Sequence, residues 1–181
     1  ALVASGVMSF EDGVKIVHHR GLFMNEAVPA GEGAMAAILG MQSDELKVIT
    51  DHVTSQGDVV QLANLNCPGQ IVISGTKQGV EKASVQAKEA GAKRAIPLVV
   101  SGPFHSELMR PAASKLQKAL DQLDMHNTDV PVISNVTASP VTTAEEMKEL
   151  LVQQLYSPVR FEESIRHLMD LGVNTFIECG P

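Results

Sequence analysis

The sequence predicts an α/β protein that contains one complete βαββαβ unit. Strand-like apolar runs alternate with helical periodicity along most of the 181 residues. Two extended runs, 59–66 and 70–74, flank a tight Cys-Pro-Gly turn, a pattern typical of a β-hairpin. No internal repeat, linker or low-complexity tract interrupts the chain.

The first complete helix begins at Ser9, whose spacing to Asp12 resembles a capping box with Asp in place of Glu. Pro29 ends this helix. We expect residues 1–32 to belong to a large α/β subdomain.

The next segment, 33–98, has the element order of a ferredoxin-like subdomain. Its predicted elements are a strand at 34–39, a helix at 43–55, strands at 59–66 and 70–74, a helix at 78–90 and a strand at 94–99. Leu46, Ile49 and Val53 give the first of these helices an apolar face, and Gly91 ends the second.

Residues 99–181 return to an alternation of helix and strand, which we assign to the large subdomain. A breaker-rich loop at 101–105 comes first. The predicted elements that follow are a helix starting between 106 and 111 and reaching 123, a strand at 130–136, a helix capped by Thr143 and Glu146 and halted at 157–158, a helix at 161–171, and a final strand at 175–177.

Composition excludes several classes of function. The hydrophobic and charged shares, 44% and 19%, are those of a globular protein, and the net charge of −7 disfavours nucleic acid or an anionic membrane as the main partner. No apolar run approaches the roughly 18 to 20 residues of a membrane span. For that reason, and because the N-terminus has no charged region followed by an apolar one, we expect a cytoplasmic protein. Cys67 and Cys179 have no metal-ligand spacing, so we expect two buried thiols and no metal site.

Both chain ends lie beside apolar stretches, whereas native termini more often trail off in polar residues. We therefore expect this sequence to be part of a longer polypeptide.

Arg20 lies on an apolar helical stripe with Ile16, Val17, Phe23 and Met24. A guanidinium in such surroundings favours a planar pair with a carboxylate, so Arg20 is a candidate anion-binding residue. The alternative is that it reaches solvent or pairs with an internal acidic residue.

His105 is the histidine with the most informative position. It follows a strand and a Gly-Pro pair and precedes a helix, which is where α/β proteins place catalytic groups. Its imidazole could act as a general base. The other five histidines are explained as solvated side chains.

Three amides are further candidates. Gln154 occupies an apolar position of a helix, and Asn64 and Asn66 share one strand face before the hairpin turn. Each could line a polar site or simply hold a loop in place. The sequence contains no Gly-x-Ser-x-Gly elbow, and neither cysteine has the setting of an activated thiolate.

Several motifs together resemble the bacterial malonyl-CoA:acyl carrier protein transacylases. The resemblance covers essentially the whole chain in order, and it is carried by segments 9–29, 33–40, 64–70 (Asn-Leu-Asn-Cys-Pro-Gly-Gln), 91–94, 102–105 (Gly-Pro-Phe-His), 134–136 and 154–160.

The resemblance implies a hydrolase-like α/β core with the ferredoxin-like subdomain inserted. It also implies malonyl transfer in fatty acid biosynthesis, from malonyl-CoA through a seryl ester to the phosphopantetheine thiol of acyl carrier protein. His105 then matches the base, Gln154 the residue whose carbonyl orients it, and Arg20 the malonyl carboxylate clamp. Phe104 matches a residue of malonyl-selective members, and we place Asn64 and Asn66 on the substrate side.

The resemblance further implies a monomer without a cofactor of its own. The serine elbow of the family would lie upstream of Ala1, so we expect this chain to be inactive by itself. The competing hypothesis is a ferredoxin-like binding module without chemistry. Exposed basic residues could dock the acidic carrier protein or form a solvated face: Lys93, Arg94, Arg110, Lys115 and Lys118.

Overall fold

The computed structural model describes residues 1–178 and has a mixed α/β architecture, which confirms the predicted fold class. The first helix, α1 (Phe10–Glu26), begins after Ser9, whose Oγ accepts a hydrogen bond from the Asp12 amide at 3.1 Å. This is the predicted N-cap. The helix buries Ile16 and Met24 against the following elements.

A four-stranded antiparallel sheet follows, in the order β2-β3-β1-β4. Its elements are β1 (Gly33–Leu39), α2 (Ser43–Ser55), β2 (Val60–Cys67), β3 (Gln70–Thr76), α3 (Lys77–Glu89) and β4 (Arg94–Pro97). The connectivity is therefore β-α-β-β-α-β, with α2 and α3 packed on the sheet.

The two faces of this sheet meet different parts of the molecule, because side chains alternate along each strand. One face, with Ile38 and Ile73, packs under α2 and α3. The opposite face presents Met35 and Val72 to Phe104, which also touches the core around α1. Phe104 thus joins the sheet to the rest of the protein.

The remaining elements build a second core with α1. They are a 3-10 turn (Glu107–Met109), α4 (Arg110–Leu120), β5 (Val132–Ile133), β6 (Pro140–Val141), α5 (Ala144–Gln153) and α6 (Phe161–Asp170). Met109, Leu116, Leu120 and Leu155 are fully or almost fully buried in this core.

The outer edge of β2 is not left open. The amide of Leu65 donates to the Val159 carbonyl at 2.9 Å, and the Val159 amide donates to the Ala63 carbonyl at 2.8 Å. A bulge between Leu62 and Asn64 accompanies this pairing. The edge strand of the sheet therefore fixes the segment that follows α5.

Three predicted strands are shorter than expected or absent. The strand predicted at 94–99 forms only as β4, Arg94–Pro97. Of the strand predicted at 130–136, only Val132–Ile133 forms, because Pro131 has no amide hydrogen and the backbone turns where Ala138 donates to the Ser134 carbonyl at 2.8 Å. Residues 173–178 form no strand, since within residues 1–178 no neighbouring strand pairs with them. An apolar run alone does not make a strand.

Two local predictions also differ. Thr143 is the N-cap of α5 but its side chain makes no capping bond; the Asn127 carboxamide oxygen accepts from the Ala144 amide at 2.9 Å instead. Cys67 is exposed rather than buried, because it ends β2 beside the hairpin turn. Cys179 lies outside the described residues.

Candidate active site

His105 sits in the loop between β4 and the 3-10 turn, in a left-handed backbone conformation with φ of 58°. A non-glycine residue rarely adopts this conformation, so the surrounding contacts must hold it. One support is the preceding Pro103 ring, which is fully buried and presses on Gly33. A Cβ on Gly33 would lie 2.2 Å from that ring, which leaves room only for glycine at the start of β1.

The imidazole of His105 is oriented by Gln154. Its Nδ1 lies 2.8 Å from the main-chain carbonyl oxygen of Gln154, the residue that caps the C-terminal end of α5. Because a carbonyl oxygen only accepts, the proton of the neutral ring must sit on Nδ1. Nε2 is then the nitrogen with a free lone pair, as a general base requires.

The pKa of His105 lies below its ordinary value. Burial is the largest cause, because it disfavours the charged ring, and the positive charge of Arg20 acts in the same direction. Hydrogen bonding to the backbone at Gln154 and Ser157 opposes these effects only in part. The imidazole is therefore neutral at pH 7 and able to take up a proton.

Arg20 projects from α1 toward the same residue, Gln154. Its Nη2 donates to the Gln154 side-chain oxygen at 3.3 Å, a long hydrogen bond, and its buried Nε has no partner within the described residues. Burial also lowers the pKa of the guanidinium. A partly desolvated arginine with unused donors is suited to bind a carboxylate.

Arg20 and Gln154 share a cleft of about 840 Å³. Apolar side chains dominate its walls, including Val14, Leu150 and Leu151. Arg20 therefore presents unused guanidinium donors to a cleft with mostly apolar walls, where an ion pair is stronger than in open solvent.

The structure does not bring every predicted site residue into this cleft. His105 and Phe104 do not line it, although Nδ1 of His105 contacts the carbonyl oxygen of Gln154. Phe104 packs against apolar side chains of the sheet. Asn64 and Asn66 do not line it either, and among residues 1–178 their carboxamides make no hydrogen bond.

Sequence reasoning missed one residue of this region. Gln61 on β2 donates from Nε2 to the carbonyl oxygens of His105 and Tyr156, both at 3.3 Å, and its Oε1 accepts from the Glu107 amide at 3.0 Å. A glutamine between two apolar strand residues is an ordinary alternation, so the sequence carried no signal for this role.

Two negative findings concern residues 1–178. No group of three or more His, Cys, Asp or Glu side chains there could hold a metal ion. None of the helices described combines the length and the apolar character that a bilayer crossing needs.

Comparisons with known proteins show the family of the chain. The family model described as "Acyl transferase domain" matches residues 1–181. The chain belongs to the acyl transferase domain family. The malonyl CoA-acyl carrier protein transacylase of Bacillus subtilis (strain 168) is 68% identical over 181 residues, which are 100% of this chain and 57% of that protein.

Solved structures give the same relationship for this acyl transferase domain. The malonyl CoA-acyl carrier protein transacylase of Coxiella burnetii matches with a TM-score of 0.96 at 43% identity, covering 99% of this chain and 57% of that one. A malonyl-transacylase in complex with its type II PKS acyl-carrier protein matches with a TM-score of 0.92 at 43% identity, covering 96% and 56%. The chain thus spans little more than half the length of these relatives.

Proposed function

We propose that this chain is part of an enzyme that transfers malonyl groups from malonyl-CoA to the phosphopantetheine thiol of acyl carrier protein, in fatty acid biosynthesis. The observation that carries the proposal is the contact of one residue, Gln154, with both His105 and Arg20. A proton acceptor and a carboxylate-binding cation held at one residue are what transfer of a malonyl group requires.

In the proposed mechanism, His105 removes the proton from a serine hydroxyl as the serine oxygen attacks the thioester carbonyl. The carbon–sulfur bond breaks, and the His105 imidazolium returns that proton to the CoA thiolate. The seryl ester then reacts with the carrier-protein thiol by the reverse steps, with His105 again accepting and returning one proton. The Gln154 carbonyl stabilises the imidazolium, as the aspartate does in a hydrolase triad.

The serine is not present in a Gly-x-Ser-x-Gly elbow within the 181 residues. We propose that it comes from the part of the family's polypeptide that this chain does not cover. The chain alone is then inactive, and incubation of the 181-residue polypeptide with malonyl-CoA leaves its mass unchanged. A stable malonyl adduct would mean that a nucleophile lies within this sequence.

Arg20 is the proposed clamp for the malonyl carboxylate. Its Nε is buried without a partner and its bond to Gln154 is long, so a carboxylate would supply better acceptors than the protein does. An acetyl group would leave those donors unsatisfied, which gives the site a preference for malonyl.

The further parts of the proposal rest on the sequence pattern and on the family resemblance. They are a large subdomain of residues 1–32 and 99–181, a ferredoxin-like subdomain of residues 33–98, a substrate-side position for Phe104, Asn64 and Asn66, a monomeric complete protein in the cytoplasm, and no cofactor. The sheet order and the connectivity of its two helices support the subdomain boundaries.

The last part of the proposal concerns the surface to which the carrier protein docks. Arg110 and Lys115 are exposed, but each already pairs with a glutamate: Arg110 with Glu107, and Lys115 with Glu26 at 2.7 Å. Such surface pairs are weak, so both cations can exchange partners when an acidic protein approaches.

The direct test uses the complete protein. Incubation with malonyl-CoA gives a malonyl adduct detectable by mass spectrometry, and addition of holo acyl carrier protein removes it. Failure to form the adduct, combined with tight binding of a carrier protein or other ligand, would replace the enzyme with a binding module.

A further inference from the structure

We infer that Gln61 is a positioning residue that holds the His105 loop against the Tyr156 segment. It thereby keeps the His105 imidazole in place relative to the Gln154 carbonyl that orients it. Gln61 is part of the sheet, whereas His105 and Gln154 belong to two separate segments outside it. This inference rests on the proposed function, because it assigns Gln61 a role in the work of His105.

The first support is that both ends of the Gln61 carboxamide are hydrogen-bonded. Its amide nitrogen faces two carbonyl oxygens, those of His105 and Tyr156, and its amide oxygen faces the Glu107 amide. A flipped carboxamide would place oxygen against two carbonyls, so the partners determine its orientation. One side chain thereby links the His105 loop, the 3-10 turn and the segment two residues beyond Gln154.

The second support is the backbone of His105. Its φ of 58° lies in the left-handed region, which L-residues occupy only when neighbouring contacts outweigh the local cost. The Gln61 amide binds the carbonyl oxygen of His105 itself. It therefore restrains the backbone of the residue that carries the imidazole.

The third support is the rigidity of β2, the strand that carries Gln61. Gln61 lies on β2, opposite Ser74 of β3, and the outer edge of β2 pairs with Val159 through two backbone hydrogen bonds. The backbone that carries Gln61 is thus tied on both sides. A site residue supported from such an element is held more precisely than one supported from a loop.

The test compares Gln61→Met, which keeps the side-chain length and removes all three hydrogen bonds, with Gln78→Met, the same change at an exposed position of α3. Both are made in the complete protein. For Gln61→Met we expect kcat for malonyl transfer to fall about tenfold, because small displacements of a catalytic group are costly, while KM for malonyl-CoA changes less than about twofold. Gln78→Met behaves as wild type.

A second readout does not depend on turnover. Nitrogen NMR of the imidazole reports the tautomer of His105, and we expect the Nδ1–H form to lose population in Gln61→Met. If kcat and the tautomer are both unchanged, Gln61 serves stability alone and the inference is wrong. If the wild-type protein transfers no malonyl groups, the proposed function fails, while the NMR measurement still decides the role of Gln61.

A second variant covers the case in which Gln61→Met does not fold. Gln61→Glu keeps the acceptor for the Glu107 amide but turns an anionic oxygen toward the carbonyls of His105 and Tyr156. The negative charge favours the protonated imidazole, so the acid limb of the kcat/KM profile moves to higher pH. In this variant too the Nδ1–H form of the neutral imidazole should lose population, and a population equal to that of the wild-type protein would contradict the inference.

Discussion

Replacement of Arg20 by alanine is the sharpest test of how the site selects its acyl group. The guanidinium is partly buried and its Nε is unpartnered within the described residues, so little of its binding capacity is used inside the protein. A bound malonyl carboxylate would use that capacity, and an acetyl group would not. The two substrates should therefore respond differently to Arg20→Ala.

The expected magnitude follows from the number of donors available. Hydrogen bonds to a charged group contribute about 1.5–3 kcal/mol each, so the loss of two corresponds to about 3 kcal/mol at the lower bound. At about 1.36 kcal/mol per tenfold change, kcat/KM for malonyl transfer should fall roughly 160-fold. Transfer of acetyl should change less than about threefold, since no carboxylate contact is lost.

The assay measures kcat/KM for both acyl-CoA substrates with the complete protein. Arg166→Ala is the matched control, because Arg166 lies exposed on α6 and, among residues 1–178, its ion-pair partner is Glu162 alone. Its effect should stay within about twofold, as is usual for a surface ion pair. Equal losses of malonyl and acetyl transfer in Arg20→Ala would show that Arg20 supports the fold or the catalytic step and does not recognise the carboxylate.

Three further predictions concern the base and its loop. His105→Ala should abolish the malonyl adduct, whereas His126→Ala, at an exposed position, should leave it unchanged. An adduct in His105→Ala would show that His105 is not the base. The acid limb of the kcat/KM profile should lie below pH 6.5, the ordinary pKa of histidine, because burial and the charge of Arg20 disfavour the protonated ring of His105. An acid limb above pH 6.5 would show that the ring is not in such surroundings. Gly33→Ala should lower the free energy of unfolding by about 1–3 kcal/mol, because the new methyl group overlaps the buried Pro103 ring. Urea unfolding measures this change, and an unchanged midpoint would mean that the ring can move away.

The lowered pKa of His105 also makes the free energy of unfolding depend on pH. The direction of this dependence follows from the direction of the pKa shift. The pKa is lower in the folded protein than in the unfolded chain, so the unfolded chain binds the proton first as pH falls. The contribution is fully present above about pH 6.5 and is lost as pH decreases below that value. His105→Gln should weaken this part of the acid dependence of unfolding.

Much of the fold was predictable because its signals are local. Ser9 caps α1, the Cys-Pro-Gly turn joins β2 to β3, and the alternation of apolar residues separates the two faces of the sheet. Predictions were wrong where pairing decides structure. Residues 175–177 have strand-like composition but no pairing strand among the residues that the structure describes. At the start of α5, the capping hydrogen bond comes from Asn127 and not from the side chain of the N-cap residue Thr143.

For the site, the sequence by itself determined which side chains have unusual surroundings. Arg20 on an apolar stripe and His105 after a strand-end Gly-Pro pair are visible from neighbours within four residues. Their convergence on Gln154, 134 and 49 residues away along the chain, depends on the packing of α1 and of α5 on α4 and on the loop after β4. Only the tertiary structure decided that convergence, the left-handed backbone of His105 and the bridging role of Gln61, because contacts between distant segments leave no periodic pattern in a single sequence.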